Sequence, residues 1–498
     1  MAANLKSLAK DTAIYGMSSI IGRFLNYLLV PLYTAKLSAA SGGYGIITNL
    51  YSWTALLLVI LTYGMETTFF RYANKEKENP ATVYSTTLIA VGVTSLMFIA
   101  FVLGFLPGIA QWLGYEQHPS FVAVMCMVVA LDAFQAIPFA YLRYKKRPIK
   151  FAALKLLFIF MNILLNLLYF VLLPALRINL FGIYDTQFTL NVGYAFYINL
   201  ACTAIVTFFF WKELVGIKWK FDRRLMGHML SYSWPILVLG IAGILNQTAD
   251  KILFPYIYHA ADQKQQLGIY GAAAKIAMIM ALITQAFRYA YEPFVFGKSK
   301  DKDNKDTYAK AMKYFIIFTL FAFLAVMAWM GVLRYIIARD YWEGLQVVPI
   351  VMAAEIMMGI YFNLSFWYKL IDKTIWGAVF SFVGCAVLIA INVLLVPKYG
   401  YIACAWGGFA GYATSMILSY LVGQKYYKIN YPLKDITVYT LVAAVLYLAM
   451  TLITLPGGML IETLYRTALL LVFFLFMFRH EHMSDIFAKL PVVGRFFR

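Results

Sequence analysis

The chain has 498 residues, of which 62% are apolar, 17% aromatic and only 13% charged. A soluble protein is about 45–50% apolar and about 25% charged, so this composition excludes a soluble globular protein and a disordered one alike. Lys and Arg outnumber Asp and Glu by 42 to 23, and the meaning of the resulting net charge of +19 depends on where the basic residues fall.

Apolar runs of about 20 residues recur along the whole chain and predict membrane-spanning helices. We predict an all-α polytopic membrane protein with about 14 transmembrane helices. The predicted spans are residues 12–33, 44–70, 84–107, 119–142, 150–173, 191–211, 229–257, 268–293, 314–334, 345–368, 374–396, 400–423, 436–455 and 459–478. The connections are too short to hold a soluble catalytic domain, so we expect no enzyme.

The basic residues are distributed unevenly over the predicted connections. With the N-terminus placed inside, 30 of the 42 Lys and Arg residues lie in inner connections, seven in outer ones and five within spans. Cytoplasmic loops carry such an excess of basic residues, so we expect a multi-pass protein with both termini in the cytoplasm. The positive charge is then a topology signal and an attraction to anionic lipids, and it does not indicate nucleic-acid binding.

The first twelve spans show an internal repeat with an offset of about 224 residues. The matching positions are Pro31 with Pro255, Tyr44-Gly45-Ile46 with Gly268-Ile269-Tyr270, Tyr144-Lys145 with Tyr368-Lys369, and Asp132 with Glu355. Six helices in each half give both halves the same orientation, which is a parallel repeat of the kind found in alternating-access transporters. This predicts an N-lobe at 1–225, a C-lobe at 226–430, and two added spans with a cytoplasmic tail at 431–498.

Two segments resemble a known family. Span 1 contains Asp11-Thr12-Ala13-Ile14-Tyr15-Gly16, Gly22-Arg23 and Pro31-Leu32-Tyr33, and span 2 ends on Gly64-Met65-Glu66-Thr67-Thr68-Phe69-Phe70-Arg71. In these motifs and in topology the chain is similar to the polysaccharide and O-antigen (lipid-linked oligosaccharide) flippases. These flippases belong to the multidrug/oligosaccharidyl-lipid/polysaccharide exporter superfamily, which also contains MATE drug antiporters and lipid II flippases.

The resemblance implies a protein of the bacterial inner (plasma) membrane. It would move undecaprenyl-pyrophosphate-linked oligosaccharides from the inner to the outer leaflet by alternating access, for surface polysaccharide or lipopolysaccharide O-antigen assembly. Its partners would be the lipid-linked oligosaccharide, membrane lipids and other polysaccharide-assembly membrane proteins.

Basic residues within the spans are the candidates for substrate binding, since charges in the bilayer are costly and usually face a cavity or a partner. These candidates are Arg23, Lys251, Lys275 and Arg288. Arg23 lies near the middle of span 1, where its guanidinium suits a diphosphate, a role that the resemblance favours. Alternatively, Arg23 pairs with an acid of the same lobe such as Asp132.

The other three basic candidates also have structural interpretations. Asp250 and Lys275 are expected at similar depth, either as an ion pair or as a cation- or proton-coupled switch. Lys251 is about 100° from Asp250 around the helix, so we expect it to face elsewhere, lining a cavity or snorkelling to the surface. Arg288 either pairs with Glu292 four residues later or reaches the inner mouth of the cavity.

Acidic residues within the spans are the candidates for ion coupling, namely Glu66, Asp132, Asp250 and Glu355. Glu66 lies near the inner end of span 2, where it either pairs with Arg71 or Arg143 or couples transport to an ion. Asp132 and Glu355 lie deeper, and an unpaired acid there would hold a proton or bind a cation. We expect no metal site and no cofactor, with coupling to Na⁺ or H⁺ left open.

Three functions are candidates for a protein with these residues. The first is the lipid-linked oligosaccharide flippase, and the alternative is a MATE-type exporter of organic cations coupled to Na⁺ or H⁺. The spans hold five basic and five acidic residues, a balance that does not decide between these two functions. The resemblance favours the flippase. A membrane-embedded polymerase or ligase would need a large outer loop for acceptor chemistry, and the sequence has none.

Overall fold

The helices of the computed structural model follow the apolar runs of the sequence. The structure describes residues 27–75, 78–176, 188–298, 304–453 and 455–481, and within these ranges it is helical without a β-strand. Eleven described helices are long and apolar enough to cross a membrane, and a shorter apolar helix covers Val192–Phe208. The chain is therefore a multi-pass helical membrane protein, as predicted. The described part does not reach the predicted count of about 14, and most of predicted span 1 lies outside it.

Sixteen helices are labelled here in chain order. The first eight are α1 (Leu29–Lys36), α2 (Gly43–Thr62), α3 (Met65–Ala73), α4 (Pro80–Gly104), α5 (Leu106–Trp112), α6 (Pro119–Tyr144), α7 (Pro148–Leu167) and α8 (Phe188–Phe208). The next eight are α9 (Arg223–Ile257), α10 (Gln263–Lys298), α11 (Asn304–Ala328), α12 (Val348–Leu364), α13 (Ile375–Tyr399), α14 (Tyr401–Tyr426), α15 (Leu433–Leu452) and α16 (Gly458–His480). Short helical segments at Leu173–Leu176, Trp211–Val215, Met330–Leu333 and Phe366–Leu370 join them.

Helix starts are set by local sequence signals. The helices α4, α6 and α7 each begin on a proline, whose missing N–H costs nothing in the first turn. The Asn79 side chain accepts a hydrogen bond from the backbone N of Ala81 at 2.9 Å, and Asp222 accepts one from the backbone N of Leu225 at 3.0 Å. These caps satisfy first-turn donors that would otherwise lack a partner, so α4 and α9 start where the polar connection ends.

The chain forms two compact units that interleave along the sequence. One comprises Met1–Ala272 and Cys385–Gly407, and the other comprises Ala273–Gly384 and Gly408–Arg498. The first unit therefore contains α1 to α9 and the beginning of α10. The second contains α11, α12, α15 and α16. The division into repeat-related lobes at 1–225 and 226–430 stays a prediction.

In the first unit, α2 meets the start of α10 at Gly45 and Gly268, which the predicted repeat matches to within one residue. A Cβ atom on Gly268 would lie 2.9 Å from the backbone N of Gly45 and 3.5 Å from its Cα. Real Cβ atoms do not approach so closely, so glycine is needed for the two backbones to touch. The sequence match at Gly45 and Gly268 therefore corresponds to a direct contact between the two helices.

Candidate functional site

The acid of the family-like motif, Glu66, forms an ion pair in the first unit. It lies in the first turn of α3 between the fully buried Met65 and Phe69 side chains, which fix the helix against its neighbours. Its carboxylate accepts a hydrogen bond from the guanidinium of Arg143 at the end of α6. Of the two partners predicted for Glu66, the structure confirms Arg143. Both side chains remain partly exposed, at 43% for Glu66 and 31% for Arg143.

A second pair of opposite charges lies between α6 and α7. Asp132 and Lys155 interact electrostatically, and Lys155 also interacts with Glu66 and Arg143. The ammonium of Lys155 lies 3.9 Å above the ring of Phe139, a cation–π contact that holds it inside the unit. In the described part of the chain, no direct ion pair or hydrogen bond reaches the Asp132 carboxylate. Asp132 is therefore the acid of this group whose carboxylate has no direct partner among the described residues.

A polar face of α8 adjoins these charges and was not predicted. Asn199 donates a hydrogen bond to the hydroxyl of Tyr51 at 2.7 Å, and the Asp132 charge acts on the same tyrosine. One turn after Asp132, the Gln135 amide donates to Thr207 at 2.7 Å. Asn199 and Thr207 belong to a run of polar residues spaced by four, with Thr203 between them. That spacing puts them on one helix face, and this signal could have been read from the sequence.

Asp250 on α9 is an enclosed charge of the first unit, at 5% exposed. Its two oxygens lie 3.0 Å from the ammonium of Lys251, and the Tyr270 hydroxyl donates to one of them at 2.6 Å. The prediction that Lys251 faces away from Asp250 is therefore wrong. The angle of 100° separates the Cα–Cβ bonds, but the long lysine side chain bends back along the helix and also donates to the carbonyl of Gln247 at 3.1 Å.

In the second unit, Arg288 on α10 lines a narrow cleft with Lys369. The Arg288 guanidinium lies 4.9 Å above the ring of Phe362. Two buried polar atoms in the cleft, Thr284 Oγ1 and Asn363 Oδ1, lack a hydrogen-bond partner in the described part of the chain. The free space is about 10 Å³, which is about the size of one water molecule. Lys369 was not among the predicted site residues, because its place in this cleft depends on tertiary packing.

A large apolar cavity lies in the second unit between α11, α12, α14 and α15. Its volume is about 510 Å³, within the range of lipid- and drug-sized sites. The wall is almost entirely aliphatic and aromatic, and it includes Met312, Ile316, Ile356, Met416, Ile436 and Tyr447. Helix α15 forms one side, and this helix lies beyond the twelve spans of the repeat. No motif predicted the cavity, since its lining residues are individually ordinary core residues.

One side of the cavity is bordered by a charged cluster. Lys313, next to the cavity residue Met312, donates to Glu481 at 2.7 Å and lies 3.5 Å from Asp435. The Tyr439 hydroxyl donates to Glu481 at 3.1 Å, and His480 Nδ1 lies 3.5 Å from the same carboxylate. Burial raises the pKa of Glu481, but the hydrogen bonds and the charge of Lys313 outweigh it, so this pKa lies below its ordinary value. The cluster ties α15 and the end of α16 to α11.

The remaining predicted site residues lie either outside the described residues or in the second unit. Arg23 lies outside the described residues, as does the side chain of Glu292. Lys275 lies on α10 and Glu355 on α12, both half-buried in the second unit. Asp250 belongs to the first unit and Lys275 to the second, so their pairing stays a prediction.

Solved structures share this fold. A lipid II flippase, MurJ, in an inward closed conformation superimposes with a TM-score of 0.72 over 94% of this chain and 99% of its own, at 16% identity. An inward-facing multidrug resistance MATE family transporter of the MOP superfamily superimposes with a TM-score of 0.62 over 83% of this chain and 94% of its own, at 13% identity. The fold thus defines a polytopic membrane protein of the MurJ and MATE type.

A match to a family model identifies the family of this chain. The family model described as polysaccharide biosynthesis protein matches residues 8–289, which is more than half of the chain, and the protein therefore belongs to this family. No curated protein matches the sequence. The match includes α1 to α9 and the two motifs on which the resemblance rests.

Proposed function

We propose that the protein is a flippase that moves undecaprenyl-pyrophosphate-linked oligosaccharides from the inner to the outer leaflet of the bacterial inner membrane. The observation that supports this most is the 510 Å³ apolar cavity beside α15, in a chain of the polysaccharide biosynthesis family. A polyprenyl chain needs such a surface, since each buried CH₂ group contributes about 0.8 kcal/mol.

The charged residues supply the other half of the chemistry. A diphosphate-linked sugar is anionic and strongly hydrated, so it requires basic and hydrogen-bonding groups within the membrane-spanning part of the protein. Arg288 and Lys369 are close enough to line one cleft, whose buried polar atoms Thr284 Oγ1 and Asn363 Oδ1 are available to a ligand or a water. We assign the diphosphate to this pair in an open state of the cleft, wider than the present free space of about 10 Å³, with Arg23 and Lys275 as further basic candidates.

Transport against a gradient needs an energy source, and Asp132 is the best of the three acidic candidates in the first unit. Asp250 is saturated by Lys251 and Tyr270, and Glu66 is held by Arg143. Asp132 lacks a direct partner in the described part of the chain, and an acid in that state exchanges a proton or a cation readily. We propose coupling to H⁺ or Na⁺ through Asp132.

Depletion of the protein in its native cell tests the function. We expect polyprenyl-diphosphate-linked oligosaccharide to accumulate on the inner leaflet and surface polysaccharide to disappear. Leaflet location is measured by the access of an impermeant enzyme or lectin to the glycan in intact cells and in inverted vesicles. Normal surface glycan together with new sensitivity to cationic drugs would contradict the flippase and support the MATE-type exporter.

The C-terminal cavity allows a sharper test with a matched pair of variants. Ala444 on α15 lines the cavity, whereas the adjacent Val445 is 63% exposed and does not. We expect Ala444→Trp to fill the cavity and abolish complementation of the depleted cell, while Val445→Trp complements fully. Equal complementation by both variants, at equal protein levels, would remove the cavity from the mechanism.

A further inference from the structure

A basic groove lies in the first unit and is lined by residues other than the charges described above. Its volume is about 550 Å³, and it is lined by Arg147, Lys150, Phe208, Phe209, Trp211 and Lys212. Two chain segments form it, namely the start of α7 and the end of α8 with the short helix Trp211–Val215. Both segments belong to connections that the charge distribution places on the cytoplasmic side.

The charges of the basic groove are only partly neutralised. Glu213 is 5% exposed, and its carboxylate accepts hydrogen bonds from Lys150 at 2.6 and 2.7 Å. Arg147 lies 4.0 Å from the same carboxylate, with 63% of its side chain exposed. Lys212 is exposed and forms no ion pair within the described ranges. Three cations against one carboxylate leave a net charge of +2 at the rim.

The wall of the basic groove is apolar and open. Phe208, Phe209 and Trp211 are 71%, 50% and 60% exposed. Phe208 is the last residue of the apolar helix Val192–Phe208. Exposed aromatic side chains that end a membrane helix, with basic residues directly after them, are typical of the membrane–water interface. A ligand of this groove therefore needs an anionic group and an apolar chain joined to it.

We propose that the basic groove binds an anionic phospholipid of the cytoplasmic leaflet. The headgroup phosphate lies between Arg147 and Lys212, and an acyl chain follows Phe208 and Phe209. Basic pockets between membrane helices on the cytoplasmic side have the charge that such headgroups require. Glu213 orients Lys150 and limits the local charge. This site does not depend on the proposed flippase activity, because all of its residues lie outside the cavity and the charge pairs assigned to transport.

The test uses the full chain, purified in a neutral detergent, with three probes titrated separately: phosphatidylglycerol, phosphatidylcholine and inorganic phosphate. Binding is measured by the shift of the melting temperature and by native mass spectrometry. We expect saturable binding of phosphatidylglycerol and at least tenfold weaker binding of the other two. The double variant Arg147→Gln/Lys212→Gln should weaken phosphatidylglycerol binding roughly 25-fold, about fivefold for each charge removed.

The matched control is Lys218→Gln/Lys220→Gln, which removes two exposed cations from the same connection outside the basic groove. It should change the affinity less than threefold. An equal loss in both double variants would overturn the proposal in favour of unspecific surface charge. Tight binding of phosphatidylcholine, or of phosphate alone, would overturn it as well. If the first double variant does not fold, Arg147→Lys/Lys212→Arg must retain binding and Phe209→Asp must lose it.

Discussion

The two units of the molecule differ in how their charged and apolar surfaces are arranged. In the first unit, membrane helices carry charges at Glu66, Asp132 and Asp250, and two of these three carboxylates are directly paired within the unit. In the second unit, Arg288 and Lys369 line a narrow cleft, and an apolar cavity of about 510 Å³ is lined by other residues. A lipid-linked saccharide requires both a basic surface and an apolar one, and the second unit provides both.

The comparison also shows how charge is tolerated in each unit. Asp250 is enclosed and saturated by neighbours on its own helix and on α10, whereas Glu481 is held at a helix end by residues of three helices. Enclosed pairs stabilise only while both partners are present, because a single buried charge is left without compensation. The side chains of Asp250 and Glu481 are similarly enclosed, at 6% and 4% exposed, so the two carboxylates differ in the number of helices that hold them. The predictions below test this difference.

The largest effect is expected at Asp250. Asp250→Ala leaves the Lys251 ammonium without its carboxylate, and we expect the free energy of unfolding to fall by about 3–5 kcal/mol. Unfolding by denaturant in detergent micelles measures this. The double variant Asp250→Asn/Lys251→Met removes both charges and should recover most of the loss. A double variant as unstable as the single one would show that packing, rather than the ion pair, sets the effect.

A smaller effect with a pH signature is expected at Glu481. Glu481→Gln should reduce the free energy of unfolding by about 2 kcal/mol at pH 7, because Lys313 loses its charged acceptor. The pKa of Glu481 is lowered in the folded protein, so its contribution is complete above the ordinary value of about 4.5 and is lost as the pH falls through the lowered pKa. The wild-type protein and the variant should therefore converge in acid. A difference that stays constant down to pH 3 would contradict this assignment.

At Asp132 the expected effect is on transport and not on stability. Asp132→Asn should slow glycan translocation about tenfold, equivalent to about 1.4 kcal/mol, and remove its dependence on the H⁺ or Na⁺ gradient. The measurement is transport in vesicles with and without an imposed gradient. Asn keeps the size of the side chain, so the melting temperature serves as the control. If transport by the variant still depends on the gradient, a residue other than Asp132 couples transport to the ion.

The smallest effect is expected at Glu66, despite its place in the family-like motif. Its ion pair with Arg143 is partly exposed on both sides, and such pairs contribute about 0–1 kcal/mol. Glu66→Gln should therefore change the melting temperature by a few degrees at most. Glu66→Lys would put like charges together and should have a clearly larger effect. A strong loss of stability in Glu66→Gln would place Glu66 with Asp250 among the enclosed charges.

Much of the helical framework could be predicted from the sequence, because hydrophobic runs and starting prolines are local signals. The helices that begin at Pro80, Pro119 and Pro148 show this, as does the pairing of Glu66 with Arg143. The direction of the Lys251 side chain could not be predicted, since helix geometry fixes the direction of the Cα–Cβ bond but not the four side-chain torsion angles. The apolar cavity could not be predicted either, because it depends on the distances between packed helices, which a single sequence does not determine.

Movement of a lipid-linked saccharide across the bilayer is the central property of the proposed function, and reconstitution tests it most directly. Purified protein would be placed in liposomes that carry polyprenyl-diphosphate oligosaccharide, with an impermeant glycan-cleaving enzyme added outside. We predict that wild-type protein and Val445→Trp expose the inner half of the lipid to the enzyme within minutes, and that Ala444→Trp does not. If half of the lipid stays protected with the wild-type protein under every imposed Na⁺ or H⁺ gradient, the protein is not a flippase for this class of lipid.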